Sequence, residues 1–306
     1  MVNGVLRNFL RQRERLLDEL QRDEIAYFQH PAWWLSRLRR AYPEDWQGIV
    51  AADNNPPPMT LRVNTRKIRV DDYLGKLQAT GIEAKAVGSV GLRLEKPVPV
   101  DRLPGFAEGW VSVQDAGAQR AAELLDPAPG DRVLDACAAP GGKTAHLLER
   151  AGADVLDMLA LDIDAARALR IGSNLKRLGL TAEVRAADCL AVGEWWDGRL
   201  FDAILADAPC SASGVASRHP DIKTLRRESD IRKLAHAQSA ILDALWPLLK
   251  SGGKLLYATC SVFVEENVAQ IDAFLVRCPD ARRIGQEQWL PNDKNDGFYY
   301  ALLRKA

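Results

Sequence analysis

Residues 135–144, which read Asp-Ala-Cys-Ala-Ala-Pro-Gly-Gly-Lys-Thr, decide the fold because they follow a strand-like segment and open a helix. Glycines in such a turn let the backbone approach a ligand closely, and the helix N-terminus offers free N–H groups to a carboxylate or phosphate. A P-loop is one interpretation, since Gly142-Lys143-Thr144 completes the end of the pattern GxxxxGK[ST]. The first glycine of that pattern would fall at Cys137, so a nucleoside triphosphatase is the less favoured alternative.

Outward from this turn, strand-like and helical segments alternate along residues 115–306. The strand-like segments are Arg132–Asp135, Met158–Asp162, Glu183–Ala187, Phe201–Ala206 and Lys254–Tyr257, with Gly297–Arg304 expected as a closing edge strand. The alternation predicts an α/β fold, namely a doubly wound, Rossmann-like sheet whose ligand lies beyond the carboxyl ends of its strands.

The residues before this sheet are expected to form two further units. Apolar residues recur at helical spacing from Val5 to Leu20, which predicts an amphipathic helix within a short helical segment, residues 1–55. After a proline-rich linker, residues 56–114 are expected to form a small α+β module. Residues 61–100 carry eight basic and four acidic side chains, a net charge of +4. A basic module of this size suits single-stranded RNA, although charge alone is more typical of a solvated face.

Composition excludes several classes of protein. The chain has 306 residues, of which 47% are hydrophobic, and its 41 basic residues balance 41 acidic ones, as in an ordinary globular protein. Every apolar run is too short to span a membrane, and no export signal is visible, so we expect a cytoplasmic monomer without membrane contact. Five cysteines without a CxxC motif, and histidines without ligand spacing, argue against a disulfide framework or a metal site.

Acidic residues end four successive strands of the predicted sheet: Asp135, Asp162, Asp188 and Asp207. One such carboxylate alone is often only the cap of the next helix. Four of them beside a glycine turn fit a nucleoside with a charged tail, such as S-adenosylmethionine. Two cysteines, Cys210 and Cys260, follow the ends of neighbouring strands and are expected to face the same crevice.

Several motifs together resemble the RNA (cytosine-5) methyltransferases of the Nol1/Nop2/Sun family. They are Asp135 to Thr144, Asp162-Ile-Asp164, Asp207-Ala-Pro-Cys-Ser211, Arg218-His-Pro-Asp-Ile-Lys223, Tyr257-Ala-Thr-Cys-Ser261, Glu265-Glu-Asn267 and Asp296-Gly-Phe298. The resemblance extends over essentially the whole chain. It implies S-adenosylmethionine as methyl donor and an RNA substrate, for which we expect 16S ribosomal RNA.

The resemblance also implies roles for individual residues. Cys260 is the expected nucleophile toward carbon 6 of cytosine, and Cys210 the group that helps remove the proton from carbon 5. Asp207 and Lys143 are expected to hold and polarise the base. Asp162 is expected at the donor's ribose and Asp188 at its adenine, while the methionine end lies against Cys137, Ala138, Ala139, Pro140, Gly141, Gly142 and Lys143.

Two expectations concern RNA. Members of the family usually begin with a helical domain similar to the antitermination factor NusB, and residues 2–7 resemble its last helix, so we expect residues 1–55 to be a remnant of that domain with its linker. Residues 218–233 carry six basic and three acidic side chains. This stretch is expected to contact RNA through Arg218, Lys223, Arg226 and Arg227, although a solvated face is an open alternative.

Two alternative functions remain at this point. DNA cytosine-5 methyltransferases attack from the Pro-Cys motif, which would make Cys210 the nucleophile. A non-catalytic ribosome-assembly factor could keep the same fold without turnover. The pair Thr259-Cys260, and the intact Cys210 and Asp207, favour the RNA enzyme.

Overall fold

The computed structural model describes residues 2–151 and 156–306. The α-helices of the described residues are α1 (Val2–Arg22), α2 (Glu24–Phe28), α3 (Ala32–Ala41), α4 (Trp46–Asp53), α5 (Val70–Ala79), α6 (Ala116–Leu125), α7 (Gly142–Ala151), α8 (Ala165–Leu178), α9 (Val192–Trp195), α10 (Ile222–Leu225), α11 (Glu228–Leu245) and α12 (Val268–Arg277). The strands are β1 (Thr60–Val63), β2 (Ala84–Val87), β3 (Gly91–Leu94), β4 (Val111–Val113), β5 (Arg132–Asp135), β6 (Asp157–Asp162), β7 (Glu183–Ala186), β8 (Phe201–Asp207), β9 (Leu249–Thr259), β10 (Ala281–Trp289) and β11 (Phe298–Lys305).

A seven-stranded sheet forms the larger part of the structure, in the order β10-β11-β9-β8-β5-β6-β7. Strands β9, β8, β5, β6 and β7 are parallel neighbours, and β10 and β11 join antiparallel. The central parallel strands contain apolar runs because helices cover both faces, and a hydrophobic cluster lies on each side of the sheet. The edge strand β7 reads Glu-Val-Arg-Ala and is exposed or half-buried. The predicted doubly wound α/β fold is therefore confirmed.

The order of the last strands differs from expectation. The prediction that residues 297–304 close the sheet as an edge strand is wrong, because β11 lies between β9 and β10. The edge is β10, which no apolar alternation marks in the sequence. Its side chains are mostly exposed or half-buried, and its register shifts between Arg283 and Gly285. Polar side chains and a bulge are common at exposed sheet edges, where they discourage pairing with other chains.

A second, four-stranded antiparallel sheet has the order β2-β3-β1-β4. Helix α5 packs on it through Tyr73 and Leu77, which are fully buried. The count of basic residues overstates the surface charge of this module, since Arg62 on β1 is only 1% exposed. Its guanidinium is directed into the seam between the two sheets, where it cannot contact RNA.

The N-terminal helices divide into two groups. The predicted amphipathic helix is α1, and none of its residues is buried. In contrast, α3 and α4 pack on the larger sheet's unit, where Trp34, Leu38 and Ile49 join a cluster with Ile231 and Phe263. None of the helices given above is both long and apolar enough to cross a bilayer.

Candidate active site

The turn between β5 and α7 is built on a glycine. Gly141 has a φ of +93°, and a Cβ at this position would lie 3.1 Å from Ile171 Cα on α8. Only glycine satisfies both conditions without strain. The turn therefore packs closely against α8 and begins α7 at Gly142, with Lys143 in its first turn.

A cavity of about 380 Å³ opens at the carboxyl ends of β5, β6, β7, β8 and β9. Its lining brings together these predicted residues: Cys137, Ala139, Asp162, Asp188, Asp207, Cys210 and Cys260. Ala138, Pro140, Gly141 and Gly142 do not line the cavity and form the turn behind it. Its size and apolar lining with few polar groups are typical of a small-molecule site.

Asp162 is held in place by the backbone around it. Its Oδ2 accepts a hydrogen bond from Ala139 N at 3.1 Å, and its Oδ1 accepts one from Asp164 N at 3.1 Å. The side chain of Arg167, which the sequence analysis did not single out, donates to Ala139 O at 3.1 Å and lies 3.6 Å from Asp162 Oδ2. These contacts join the glycine turn to the end of β6 and leave carboxylate lone pairs for a ligand.

Lys143 does not line the cavity, but it forms an ion pair with Asp207, which does. Lys143 Nζ lies 2.6 Å from Asp207 Oδ2, and the ammonium sits 5.3 Å from the centre of the Phe298 ring. Burial disfavours the charged form of Lys143, but Asp207 outweighs that effect and raises the pKa of Lys143 above its ordinary value. The lysine is therefore a permanent positive charge beside the cavity.

Asp135 lies behind this pair and is fully buried. Its Oδ2 accepts a hydrogen bond from Thr144 Oγ1 at 2.6 Å, while its Oδ1 has no partner among the described residues. Burial raises the pKa of Asp135 to about 7, despite the bond from Thr144. This carboxyl group thus titrates near neutrality.

The two predicted thiols meet at the cavity wall. Cys210 Sγ lies 3.4 Å from Cys260 Sγ, and both cysteines are free. The hydrogen bond with Cys260, burial and the charge of Glu266 hold the pKa of Cys210 well above its ordinary value. Cys260 has a different neighbour, since its charge is one of those that raise the pKa of Lys143. The geometry thus places the two sulfurs within contact distance of each other at the cavity wall.

The four predicted RNA contacts are not brought together on one surface. Arg218 is paired with Asp296 and Asp115, and it donates to Pro58 O at 2.9 Å. Lys223 is 7% exposed and donates to Asn54 Oδ1 at 2.6 Å. These two side chains join neighbouring segments of the fold.

The other two basic side chains have a different setting. Arg226 donates to Ser211 O at 3.1 Å, one residue after Cys210, whereas Arg227 is exposed at the start of α11. Arg227 is thus the member of the four most available to a phosphate. In the described part of the chain, no group of three or more His, Cys, Asp or Glu side chains is arranged to hold a metal ion.

Comparisons with known proteins agree with this architecture. The family described as 16S rRNA methyltransferase RsmB/F matches residues 122–304, and the RsmF/B-like ferredoxin-like domain matches residues 30–101. Ribosomal RNA small subunit methyltransferase B of Salmonella typhi is 51% identical over 315 residues, which cover 100% of this chain and 73% of that protein. The enzyme of the same name from Pseudomonas syringae pv. tomato is 49% identical over 324 residues, covering 100% and 72%.

Among solved structures, a methyltransferase homolog protein from Pyrococcus horikoshii is similar. It is 29% identical, with a TM-score of 0.82, and the match covers 93% of this chain and 98% of that one. The likeness therefore includes the small module as well as the larger sheet.

Proposed function

Because the chain belongs to the RsmB/F family of 16S rRNA methyltransferases, we propose that it methylates carbon 5 of a cytosine in 16S ribosomal RNA through a covalent adduct on Cys260. The observation that carries this proposal is the pair of thiols 3.4 Å apart at the cavity wall. Methylation at carbon 5 needs both a nucleophile and a group that removes a proton, and two cysteines at one centre can fill both roles.

S-adenosylmethionine is the cofactor, and it supplies the methyl group as an electrophile. The cavity residues suit such a molecule. We assign Asp162 to the ribose hydroxyls, because its carboxylate is fixed by two backbone N–H groups and retains free lone pairs. Asp188, whose Oδ1 is fixed by Leu190 N at 2.9 Å, is assigned to the adenine. Residues 137–143 are assigned to the methionine end, because the N-terminus of α7 lies there.

Cys260 attacks first in this mechanism. Carbon 5 of cytosine is a poor nucleophile, so the Cys260 thiolate adds to carbon 6 and makes carbon 5 electron-rich. Asp207 is assigned to the amino edge and ring nitrogen of the base, with Lys143 helping to polarise the ring.

Cys210 acts last. After methyl transfer, Cys210 gives its own proton to a water molecule, and the resulting thiolate takes the proton on carbon 5. The electron pair of that C–H bond restores the ring double bond, and the C–S bond to Cys260 breaks. The thiolate of Cys260 is thereby regenerated. The target base must leave any stack to reach the thiols, which costs a few kcal/mol in a duplex and far less in a loop.

A denaturing gel with labelled RNA and the methyl donor tests the assignment. Cys210→Ala is expected to accumulate a protein–RNA adduct, whereas Cys260→Ala and the double variant form none. Cys278→Ala, a free thiol outside the cavity, is the matched control and should turn over normally. An adduct that builds up in Cys260→Ala and vanishes in Cys210→Ala would assign the attack to the Pro-Cys thiol, as in DNA enzymes.

The substrate is tested separately. Mapping of 5-methylcytosine in 16S ribosomal RNA from cells with and without the protein should reveal one or more positions that depend on it. If no cytosine changes, the proposed substrate is wrong, whatever the gel shows.

A further inference from the structure

Glu266 is a buried carboxylate directly behind the two thiols, and its side chain has no exposure to solvent. It lies in the short helical turn between β9 and α12. Its Oε1 accepts hydrogen bonds from Ser211 N at 2.8 Å and from Gln238 Nε2 at 3.1 Å. Its Oε2 accepts from Ser211 Oγ and from Ser261 Oγ, each at 2.5 Å. The carboxylate is therefore fully engaged by four neutral donors.

The two serines occupy equivalent places. Ser211 directly follows Cys210 at the end of β8, and Ser261 directly follows Cys260 at the end of β9. A third hydroxyl, Ser213 Oγ, lies 3.0 Å from Ser211 Oγ and 3.0 Å from Ser261 Oγ. One carboxylate thus ties together the loops that carry both thiols, and any shift of one loop against the other would break bonds to a buried charge.

The charge of Glu266 also affects the pKa of Cys210. Cys210 is faced by Cys260, Glu266 and the buried phenol of Tyr257, which burial keeps un-ionised by raising its pKa. None of these groups is a cation, and the nearby guanidinium of Arg226 donates to Ser211 O, one residue further along the loop. The neighbours of Cys210 therefore hold its pKa well above the ordinary value and disfavour its thiolate.

We propose that Glu266 is a positioning residue, which fixes the separation of the two thiol-bearing loops and keeps Cys210 from competing with Cys260 as the attacking group. The roles of the two thiols rest on the proposed function, whereas the bonds that join the two loops do not. The arrangement gives a physical reason why two adjacent cysteines do not compete as nucleophiles.

Glu266→Gln is the direct test, because it keeps the shape of the side chain and removes its charge. Glu265→Gln is the matched control, since that neighbouring carboxylate is exposed and paired with Arg37 outside the cavity. Alkylation by iodoacetamide, followed residue by residue with mass spectrometry from pH 6 to 10, reports the thiolate fraction of each cysteine. Glu266→Gln should raise the alkylation rate of Cys210 near pH 8 roughly tenfold, the change that one pKa unit produces. Glu265→Gln should leave that rate unchanged.

Turnover provides a second readout. Glu266→Gln should lower kcat and slow adduct formation, while Kd for S-adenosylmethionine changes less than about twofold, because Glu266 does not line the donor cavity. If the alkylation rates of Cys210 and Cys260 depend on pH in Glu266→Gln as they do in the wild type, Glu266 does not keep Cys210 from competing with Cys260, and that part of the proposal is wrong. If kcat and the affinity for S-adenosylmethionine both fall together with thermal stability, the residue is merely structural and the proposal is overturned.

A second variant keeps the idea testable should Glu266→Gln fold poorly. Ser211→Ala/Ser261→Ala retains the carboxylate and removes two of its donors. We expect Cys210 to remain the less reactive thiol while kcat falls, because the two loops lose their serine hydrogen bonds to Glu266. Methylation at the wild-type rate by this double variant would overturn the positioning role. A different combination of results separates the inference from the proposed function. If Glu266→Gln shifts the pH profile of Cys210 alkylation but Cys210→Ala forms no RNA adduct, the inference is upheld and the proposed mechanism is rejected.

Discussion

Arg62 Nε lies 2.9 Å from Glu149 Oε2, in an ion pair that joins the small sheet to helix α7 of the large one. A second bond, Nη2 to Oε1, is also 2.9 Å long, so the pair is bidentate. The same guanidinium donates from Nη1 to Gly142 O at 2.7 Å, at the end of the glycine turn. The turn assigned to the methyl donor is thus anchored by a residue of the small module.

Arg62→Met should destabilise the fold by about 3–5 kcal/mol, because it leaves the Glu149 carboxylate buried and unpaired. The double variant Arg62→Met/Glu149→Met should recover most of that loss, since it replaces the pair by apolar groups of similar size. Urea unfolding measures both. Exposed Arg66 on the same module gives the control Arg66→Met, which should change stability little. A single variant as stable as the double one would contradict the prediction.

The double variant should still bind S-adenosylmethionine less tightly than the wild type. It lacks the bond to Gly142 O, and one lost hydrogen bond of about 1 kcal/mol corresponds to a roughly fivefold rise in Kd. Calorimetry without RNA measures this constant. An unchanged Kd in the folded double variant would show that the anchor does not affect the donor site.

Asp162→Asn should weaken binding of S-adenosylmethionine by about 10- to 100-fold, because charge-assisted hydrogen bonds contribute roughly 1.5–3 kcal/mol each. Asp157 begins the same strand that Asp162 ends, so Asp157→Asn is a control at the opposite end of that strand, away from the cavity. Calorimetry on both proteins separates the two positions. The ribose assignment fails if Asp162→Asn folds and binds the donor normally.

Asp135→Asn should alter how stability depends on pH. The folded-state pKa of about 7 lies above the ordinary value of 3.8. Between these values the folded state holds a proton that the unfolded state has lost, so stability falls as the pH rises through this window. The asparagine variant has no carboxyl group at this position, so its stability does not fall for this reason as the pH rises. Its advantage over the wild type should grow from pH 4 to pH 7, toward about 4 kcal/mol, and then level off. Parallel urea-unfolding curves at all pH values would refute the shift.

Arg227→Gln should reduce the salt dependence of RNA binding. One lost phosphate contact lowers the slope of log K against log salt by about 0.7 for a single strand. Arg283→Gln removes an equal charge from β10, away from the cavity, and should leave the slope unchanged. If both variants and the wild type have equal slopes, Arg227 does not contact a phosphate of the RNA. Residues 218–233 would then be a solvated face, the alternative that their charge alone suggests.

Much of the large sheet can be predicted from the sequence, because parallel strands buried on both faces need continuous apolar residues. The predicted bounds of β5 coincide with the observed ones, and β8 extends one residue further. The edge strand β10 escapes prediction for the same physical reason, since one of its sides and one of its edges meet solvent and little apolar pattern is required. Helix α11 ends at Leu245, two residues before Pro247, which cannot continue a helix.

The candidate site divides in a similar way. The juxtaposition of Cys210 and Cys260 follows from their places at the ends of neighbouring parallel strands, and the structure brings them together. The environments of Arg62, Arg218 and Lys223 could not be predicted, because their partners lie far along the chain. Arg62 and Glu149, for example, are 87 positions apart. A charged residue in a basic stretch carries no local mark of whether it will face solvent or a buried carboxylate.

The position of β11 has a consequence for synthesis. Strands β9 and β10 are both made before β11, yet each pairs with β11 and neither pairs with the other. During translation, which proceeds from the N-terminal side, β9 therefore has an open edge until residues 298–305 have left the ribosome. Cys260 directly follows β9 and cannot be fixed beside Cys210 by a complete sheet before that moment. A chain released before residues 298–305 are made would hold β9 through β8 alone, so the strand that precedes Cys260 would keep one edge open to other chains.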